Sequence, residues 1–115
     1  MLRPGDLQWM TAGRGIVHSE MLGWDRTRGL QLWVNLASEY KMVEPQYQEL
    51  TSNQIPTANK GKALLYKDTF DSIISDGVSV KIIAGKSLGV ESPVRTRTPT
   101  YYLDFRLDSG KQKLL

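Results

Sequence analysis

The stretch that decides the fold is "GVSVKIIAG", Gly77–Gly85, in which apolar and other side chains alternate. In an extended chain, successive side chains point to opposite faces, so Val78, Val80 and Ile82 share one face. A glycine at each end marks where the alternation stops. We predict a strand here, with these three side chains turned towards a core.

The same period of two recurs on both sides of this stretch. In "LQLWVNL", residues 30–36, the leucines and Val34 oppose Gln31, Trp33 and Asn35, and "YYLDFRL", residues 101–107, alternates in the same way. Residues 15–21 also suit an extended chain between glycines. Turn signals separate these segments, namely "RPGD", "SDG", "ESP" and "RTP". Short strands with frequent turns predict an all-β sandwich or barrel.

Two segments do not follow this pattern. Residues 43–59, "VEPQYQELTSNQIPTAN", are polar and contain two prolines, which favours a connector between two β units over an element of either unit. Residues 60–75, "KGKALLYKDTFDSIIS", mix helical and strand spacing, so a short helix and a flexible excursion both stay open.

The composition narrows the class of protein. The 115 residues correspond to one ordinary domain, and 15 Lys and Arg against 12 Asp and Glu give a net charge of +3, too small an excess to predict direct binding of nucleic acid. Pro4 and Gly5 interrupt the first residues before a signal peptide could form, and no apolar run is long enough for a membrane span. The absence of cysteine is compatible with a reducing compartment, so we expect neither export nor a membrane anchor.

The chemically distinctive stretch is "GRGIVHSE", Gly13–Glu20, which contains the one histidine of the chain. If this stretch is extended, His18 and Glu20 face the same side with Cα atoms about 6 to 7 Å apart. Imidazole and carboxylate together suit iron, manganese, nickel, copper or zinc. Two donors are too few for such a site, so Asp6, Gln8 or water would have to complete it. The alternative is a pair of polar residues on a strand, preceded by a tight turn at the two glycines.

Two further groups of residues have competing interpretations. Trp9, Trp33 and the apolar face of residues 30–36 could line a substrate pocket, but alternating aromatic and aliphatic side chains are more typical of a core. Arg95 and Arg97 could contact an acidic partner, whereas their place beside a proline turn is more typical of a solvated edge.

Whole phrases of the sequence carry a family resemblance. The phrases "PGDLQWMTAGRGIVHSEM", "GLQLWVNL", "MVEPQYQEL" and "TRTPTYYLDFRLD" resemble the pirin family of the cupin superfamily. The likeness runs from Pro4 to about Asn59 and resumes from Asp76 to about Gly110. It implies an all-β bicupin of two β-barrels, an iron ion in the amino-terminal barrel and a role as a nuclear transcriptional coregulator. In some members it implies a quercetin 2,3-dioxygenase activity.

The resemblance also assigns ligands and domains. His18 and Glu20 match the later of two metal-binding motifs and are carried over as iron ligands, while the family's earlier His-x-His motif has no counterpart here. Residues 1–45 match the last part of the first barrel, and residues 46–75 a linker with an insertion at 61–75. Residues 76–115 match the beginning of the second barrel. On this prediction both cupin barrels are truncated.

Three functions stay open at this point. The first is an iron-binding coregulator, located in nucleus and cytoplasm, whose partner is a transcription factor or another protein. The second is a metal-dependent dioxygenase acting on a flavonol, for which the sequence assigns no catalytic residue beyond the metal ligands. The third is a truncated chain without metal-dependent activity, because open barrels expose strand edges and apolar faces.

Overall fold

A computed structural model of the chain describes residues 1–21, 23, 26–59 and 77–110. Strands are the main regular structure of these residues, and the helical elements are two single 3-10 turns, Ser38–Tyr40 and Ser52–Gln54. The strands are β1 (Leu7–Thr11), β2 (Gln46–Leu50), β3 (Thr57–Asn59), β4 (Val78–Ala84), β5 (Lys86–Ser87), β6 (Val90–Glu91) and β7 (Tyr102–Leu107). No helix among the described residues has the length and apolar content needed to cross a membrane. The predicted all-β class is confirmed.

The core lies on one face of an antiparallel sheet with the strand order β3-β4-β7. Strand β4 alternates strictly between buried and half-buried residues, and Val78, Val80 and Ile82 are buried as predicted. Ala58 on β3 stands opposite Val80 and completes the cluster. Each large aliphatic side chain removed from water in this way contributes roughly 1.5 to 3 kcal/mol.

Strand β7 confirms the strand predicted at residues 101–107 but covers the core only in part. Leu103 packs against the core, while Phe105 and Leu107 on the same face remain 37% and 49% exposed. The register with β4 shifts between Ile82 and Ala84, which bends the end of the pair. The alternation therefore predicted the strand correctly and overestimated how deeply its apolar face is buried.

The predicted connector contains two strands. Strand β2 pairs with β1 in antiparallel register, and β3 pairs with β4, so residues 43–59 contribute to both β units. Pro45 and Pro56 each stand immediately before a strand, where the missing backbone N–H breaks no ladder bond. The prolines therefore mark the beginnings of strands, and the interpretation of this segment as a connector alone was wrong.

Two other strand predictions were also wrong. Residues 15–21 and 30–36 lie outside any strand, and the predicted core residue Trp33 is 84% exposed. Alternation yields a strand when a neighbouring backbone satisfies its N–H and C=O groups, and no such neighbour occurs here among the described residues. The predictions for residues 60–75, including the insertion at 61–75, lie outside the described residues.

Lys81, in the middle of β4, connects the sheet β3-β4-β7 to residues that flank the sheet β1-β2. Its Nζ donates hydrogen bonds to the Gly5 carbonyl oxygen at 2.8 Å and to Ser52 Oγ at 2.7 Å. The Asp6 carboxylate accepts from the backbone N–H groups of Ser52 at 2.7 Å and Arg3 at 2.8 Å. We call these five residues the Lys81 brace.

Removing the ammonium group of Lys81 should loosen the brace. We expect Lys81→Met to lower the free energy of unfolding by about 1 to 2 kcal/mol, because two hydrogen bonds from a charged donor are lost. Urea denaturation measures the change, and Lys86→Met, at an exposed position of β5, is the matched control. Equal stability of the two variants would contradict a role for the brace.

The brace also predicts a dependence of stability on pH. The backbone N–H groups of Arg3 and Ser52 hold the pKa of Asp6 below its usual value. The stability that Asp6 contributes is therefore complete above about pH 4, and it is lost as the pH falls through the lowered pKa of the folded state. We expect the difference in melting temperature between the native chain and Asp6→Asn to shrink on acidification. A difference that is the same at neutral and acidic pH would refute this.

Candidate metal centre

A tight turn leads from β1 into the segment that contains the candidate ligands. Gly13 has a φ of +54°, the Gly15 N–H donates to the Ala12 carbonyl at 2.9 Å, and the Arg14 N–H donates to the Val43 carbonyl at 3.0 Å. Glycine adopts a positive φ without the steric cost that a Cβ brings. The predicted turn is confirmed.

His18 and Glu20 both lie on the surface, beyond this turn and outside any strand. The premise that a strand aligns them on one face is therefore not met. Glu20 Oε1 instead accepts a hydrogen bond from Gln31 Nε2 at 3.3 Å, and Gln31 Oε1 accepts one from Trp33 Nε1 at 3.1 Å. We call this chain of contacts the Glu20 relay. It orients the carboxylate and leaves Oε2 without a hydrogen bond among the described residues.

No sequence pattern predicted the Glu20 relay. Gln31 and Trp33 belong to the polar side of the predicted strand 30–36, and nothing in the sequence connects them with a carboxylate eleven positions earlier. Exposed Trp33 thus has a polar contact in place of the core position that was predicted for it.

The other proposed donors are engaged elsewhere. The Asp6 carboxylate accepts two backbone hydrogen bonds within the Lys81 brace, and Gln8 Nε2 lies 3.8 Å from Met10 Sδ on β1. Within the described ranges, no three His, Cys, Asp or Glu side chains come together as a metal-binding group. The chemistry of His18 and Glu20 fits a ferrous ion, but two donors do not make a site, so the remaining donors would be water or protein groups outside these ranges.

Comparison with known proteins identifies the family of the sequence. The profile of the Pirin family matches residues 1–34, which include His18 and Glu20. The chain is 56% identical to Pirin of Homo sapiens over 110 residues, which cover 95% of the chain and 33% of that protein. It is 53% identical to Pirin-like protein 2 of Arabidopsis thaliana, over 94% of the chain and 29% of that protein. The chain belongs to the pirin family.

A solved structure supports the same assignment at the level of the fold. The pirin-family chain superposes on the crystal structure of GK1651 from Geobacillus kaustophilus with a TM-score of 0.70 and 37% identity, over 96% of the chain and 39% of that structure. Its strands therefore belong to a cupin-type β fold. The chain spans about a third of the length of the human relative. The division into residues 1–45, 46–75 and 76–115 stays a prediction.

Proposed function

We propose that this pirin-family chain is an iron-binding transcriptional coregulator, acting in nucleus and cytoplasm, with His18 and Glu20 as two of its iron ligands. The observation that carries the proposal is the Glu20 relay. A hydrogen-bonded partner that orients a metal-binding side chain is a regular feature of metal sites, and Gln31 is such a partner for Glu20. The relay lies two residues from the one histidine of the chain.

The surroundings of the ligands favour binding to a protein. Val17, Met21 and Leu30 are each at least 90% exposed, and the indole ring of Trp33 in the Glu20 relay is also exposed. Exposed apolar and aromatic side chains of this kind are enriched where proteins meet. An iron ion held by His18 and Glu20 would add positive charge beside this surface, so that a partner could distinguish the loaded from the empty protein.

The dioxygenase is the second candidate, because an imidazole and a carboxylate with open coordination positions also suit oxygen chemistry at iron. A flavonol would need a pocket next to the ligands. Neither of two concavities of about 210 and 220 Å³ among the described residues is lined by His18 or Glu20. The exposed apolar side chains next to the two ligands suit a protein partner, so the coregulator is the better-supported proposal.

Titration calorimetry tests the metal ligands. Fe(II) under anaerobic conditions and Mn(II) are titrated into the chain, into Glu20→Ala and into His18→Ala, with Glu39→Ala as an exposed carboxylate control. We expect binding heat from the native chain and from Glu39→Ala, and its loss in the two ligand variants. Identical isotherms for all four proteins would overturn the ligand assignment.

The relay makes a separate prediction. We expect Gln31→Ala to weaken Fe(II) binding about tenfold, because loss of an orienting partner typically costs 10- to 100-fold in metal affinity. Gln46→Ala, at an exposed position on β2, is the matched control. The change is measured in the same titration. An unchanged affinity in Gln31→Ala would show that the relay does not position Glu20 for metal.

Two assays separate coregulator from dioxygenase. The first follows the loss of quercetin under air by the iron-loaded chain. The second fuses the chain to a DNA-binding domain and measures a reporter gene, with the double variant His18→Ala/Glu20→Ala as control. The coregulator proposal expects an effect on the reporter that this variant lacks, without consumption of quercetin. Quercetin loss above that of the double variant, with an unchanged reporter, would favour the dioxygenase.

A further inference from the structure

We propose that Arg95 and Arg97 form a binding site for an oxyanion, a carboxylate or a phosphate group, presented by an acidic peptide of a partner protein. The site shares no residue with His18, Glu20 or the Glu20 relay. It can therefore be tested without iron, and its failure would leave the proposed metal function untouched.

Both arginines are exposed and line one concavity. Residues 92–97 alternate in burial, with Ser92 and Val94 buried and Arg95 and Arg97 exposed. Because Arg95 and Arg97 line the same concavity, both side chains can contact one oxyanion or two adjacent ones bound there. Arg95, Thr96 and Arg97 line a concavity of about 220 Å³ together with Gln46 from β2. The lining combines two cations with neutral hydrogen-bonding groups.

Contacts with β2 and with the turn before it hold this segment in place. The Gln48 side chain forms two hydrogen bonds with the backbone of Arg95. Its Nε2 donates to the Arg95 carbonyl at 2.7 Å, and its Oε1 accepts from the Arg95 N–H at 2.9 Å. The Arg97 guanidinium lies 6.0 Å from the centre of the Tyr40 ring, within range of a cation–π contact. A segment held in advance loses less conformational entropy when it binds.

Among the described residues, no carboxylate forms an ion pair with either arginine of the site. Glu44, two residues before Gln46, is paired with Arg14 at 2.7 Å. Within the part of the chain that the structure describes, neither Arg95 nor Arg97 has an ion-pair partner. Arginine binds carboxylate and phosphate groups with two parallel N–H···O bonds, and such charge-assisted bonds are about twice as strong as neutral ones.

The earlier interpretation of this pair as a solvated edge holds for exposure, since both side chains are in contact with water. The structure adds the shared concavity and the two hydrogen bonds from Gln48 to the Arg95 backbone, which a solvated edge does not require. An acidic peptide fits these features, because it carries neighbouring oxyanions that can each accept hydrogen bonds from a guanidinium group. A neighbouring pair of carboxylates or phosphates could thus meet both guanidinium groups.

Fluorescence anisotropy tests the site. A labelled hexaglutamate peptide and a peptide of equal length with two phosphoserines are each titrated with the 115-residue chain at low salt. Arg95→Gln/Arg97→Gln should weaken binding of the preferred peptide at least about tenfold. Arg95→Lys/Arg97→Lys, which keeps the charge but not the bidentate geometry, should weaken it less. Arg106→Gln on β7, outside the concavity, should change it by no more than about twofold, and far-UV circular dichroism checks that each variant is folded.

The two peptides identify the source of the oxyanion. Tighter binding of hexaglutamate assigns a carboxylate ligand, and tighter binding of the phosphopeptide assigns a phosphate ligand; inorganic phosphate should compete with the latter. Equal losses in Arg95→Gln/Arg97→Gln and in an Arg26→Gln/Arg106→Gln double variant would show attraction by net charge alone and overturn the site. Absence of binding by both peptides to the native chain would overturn it as well.

Discussion

Ile82→Ala is expected to lower the free energy of unfolding by about 2 to 5 kcal/mol, the range measured when a large buried aliphatic side chain is cut back to alanine. Ile82 is fully buried in the core cluster of β4, so the change removes apolar contacts and leaves a cavity there. Domains of this size are typically stable by about 5 to 15 kcal/mol, so the loss is a large fraction of the total. Urea denaturation followed by circular dichroism gives the value.

Two further variants keep this test informative. Ile82→Val removes one methylene group and should cost about 0.5 to 1.5 kcal/mol, which stays measurable if the alanine variant does not fold. Val17→Ala, at a side chain that is fully exposed, should change the stability by less than about 0.5 kcal/mol. If Ile82→Val and Val17→Ala were equally harmless, β4 would not be the centre of the core.

Gly13→Ala is expected to lower the free energy of unfolding by about 2 to 4 kcal/mol, because two penalties add. Alanine is strained at the φ of +54°, which costs roughly 1 to 2 kcal/mol. A Cβ at this position would also lie 2.1 Å from the Val43 carbonyl oxygen, so the backbone on one side has to move. That movement strains the hydrogen bond from the Arg14 N–H to the same oxygen.

Gly29→Ala is the matched control for this change. No atom lies within 4 Å of a Cβ built at Gly29, and its φ is outside the positive range. We expect a change in stability within about 0.5 kcal/mol, measured by thermal and urea denaturation alongside Gly13→Ala. Comparable stability of the two variants would mean that the turn after β1 can rearrange freely.

Of the predicted strands, those that became β4 and β7 each have a partner in the described structure. The alternation of Val78, Val80 and Ile82 predicted β4 correctly because this strand pairs with a neighbour on each edge and buries one of its faces. Residues 30–36 alternate just as clearly but lie outside any strand, since alternation specifies which face would be buried and says nothing about the backbone that must lie alongside. Strand β2 escaped prediction because its side chains are mostly polar, and its pairing with β1 depends on hydrogen bonds of the backbone.

For the candidate site, the sequence supplied residue types and the structure supplied the contacts. The scarcity of histidine singled out His18, the spacing of two residues added Glu20, and the family resemblance assigned both as metal ligands. The orientation of Glu20 depends on Gln31, a contact between separate loop segments that no local pattern encodes. The arginine pair is a similar case, because Gln48 and the Arg95 backbone lie 47 positions apart.

The Lys81 brace has a consequence for how the chain folds. It joins β4 to the Gly5 carbonyl, 76 positions earlier, and to the turn at Ser52. Closing so long a loop is slow, since the entropy of the intervening chain is lost before the contact forms. On the ribosome, β1 and β2 can pair once residue 50 has emerged, but the lysine that bonds to Gly5 and Ser52 beside this pair is synthesised some thirty residues later. A nascent chain paused between these two points would therefore hold the β1–β2 pair without its connection to the central sheet.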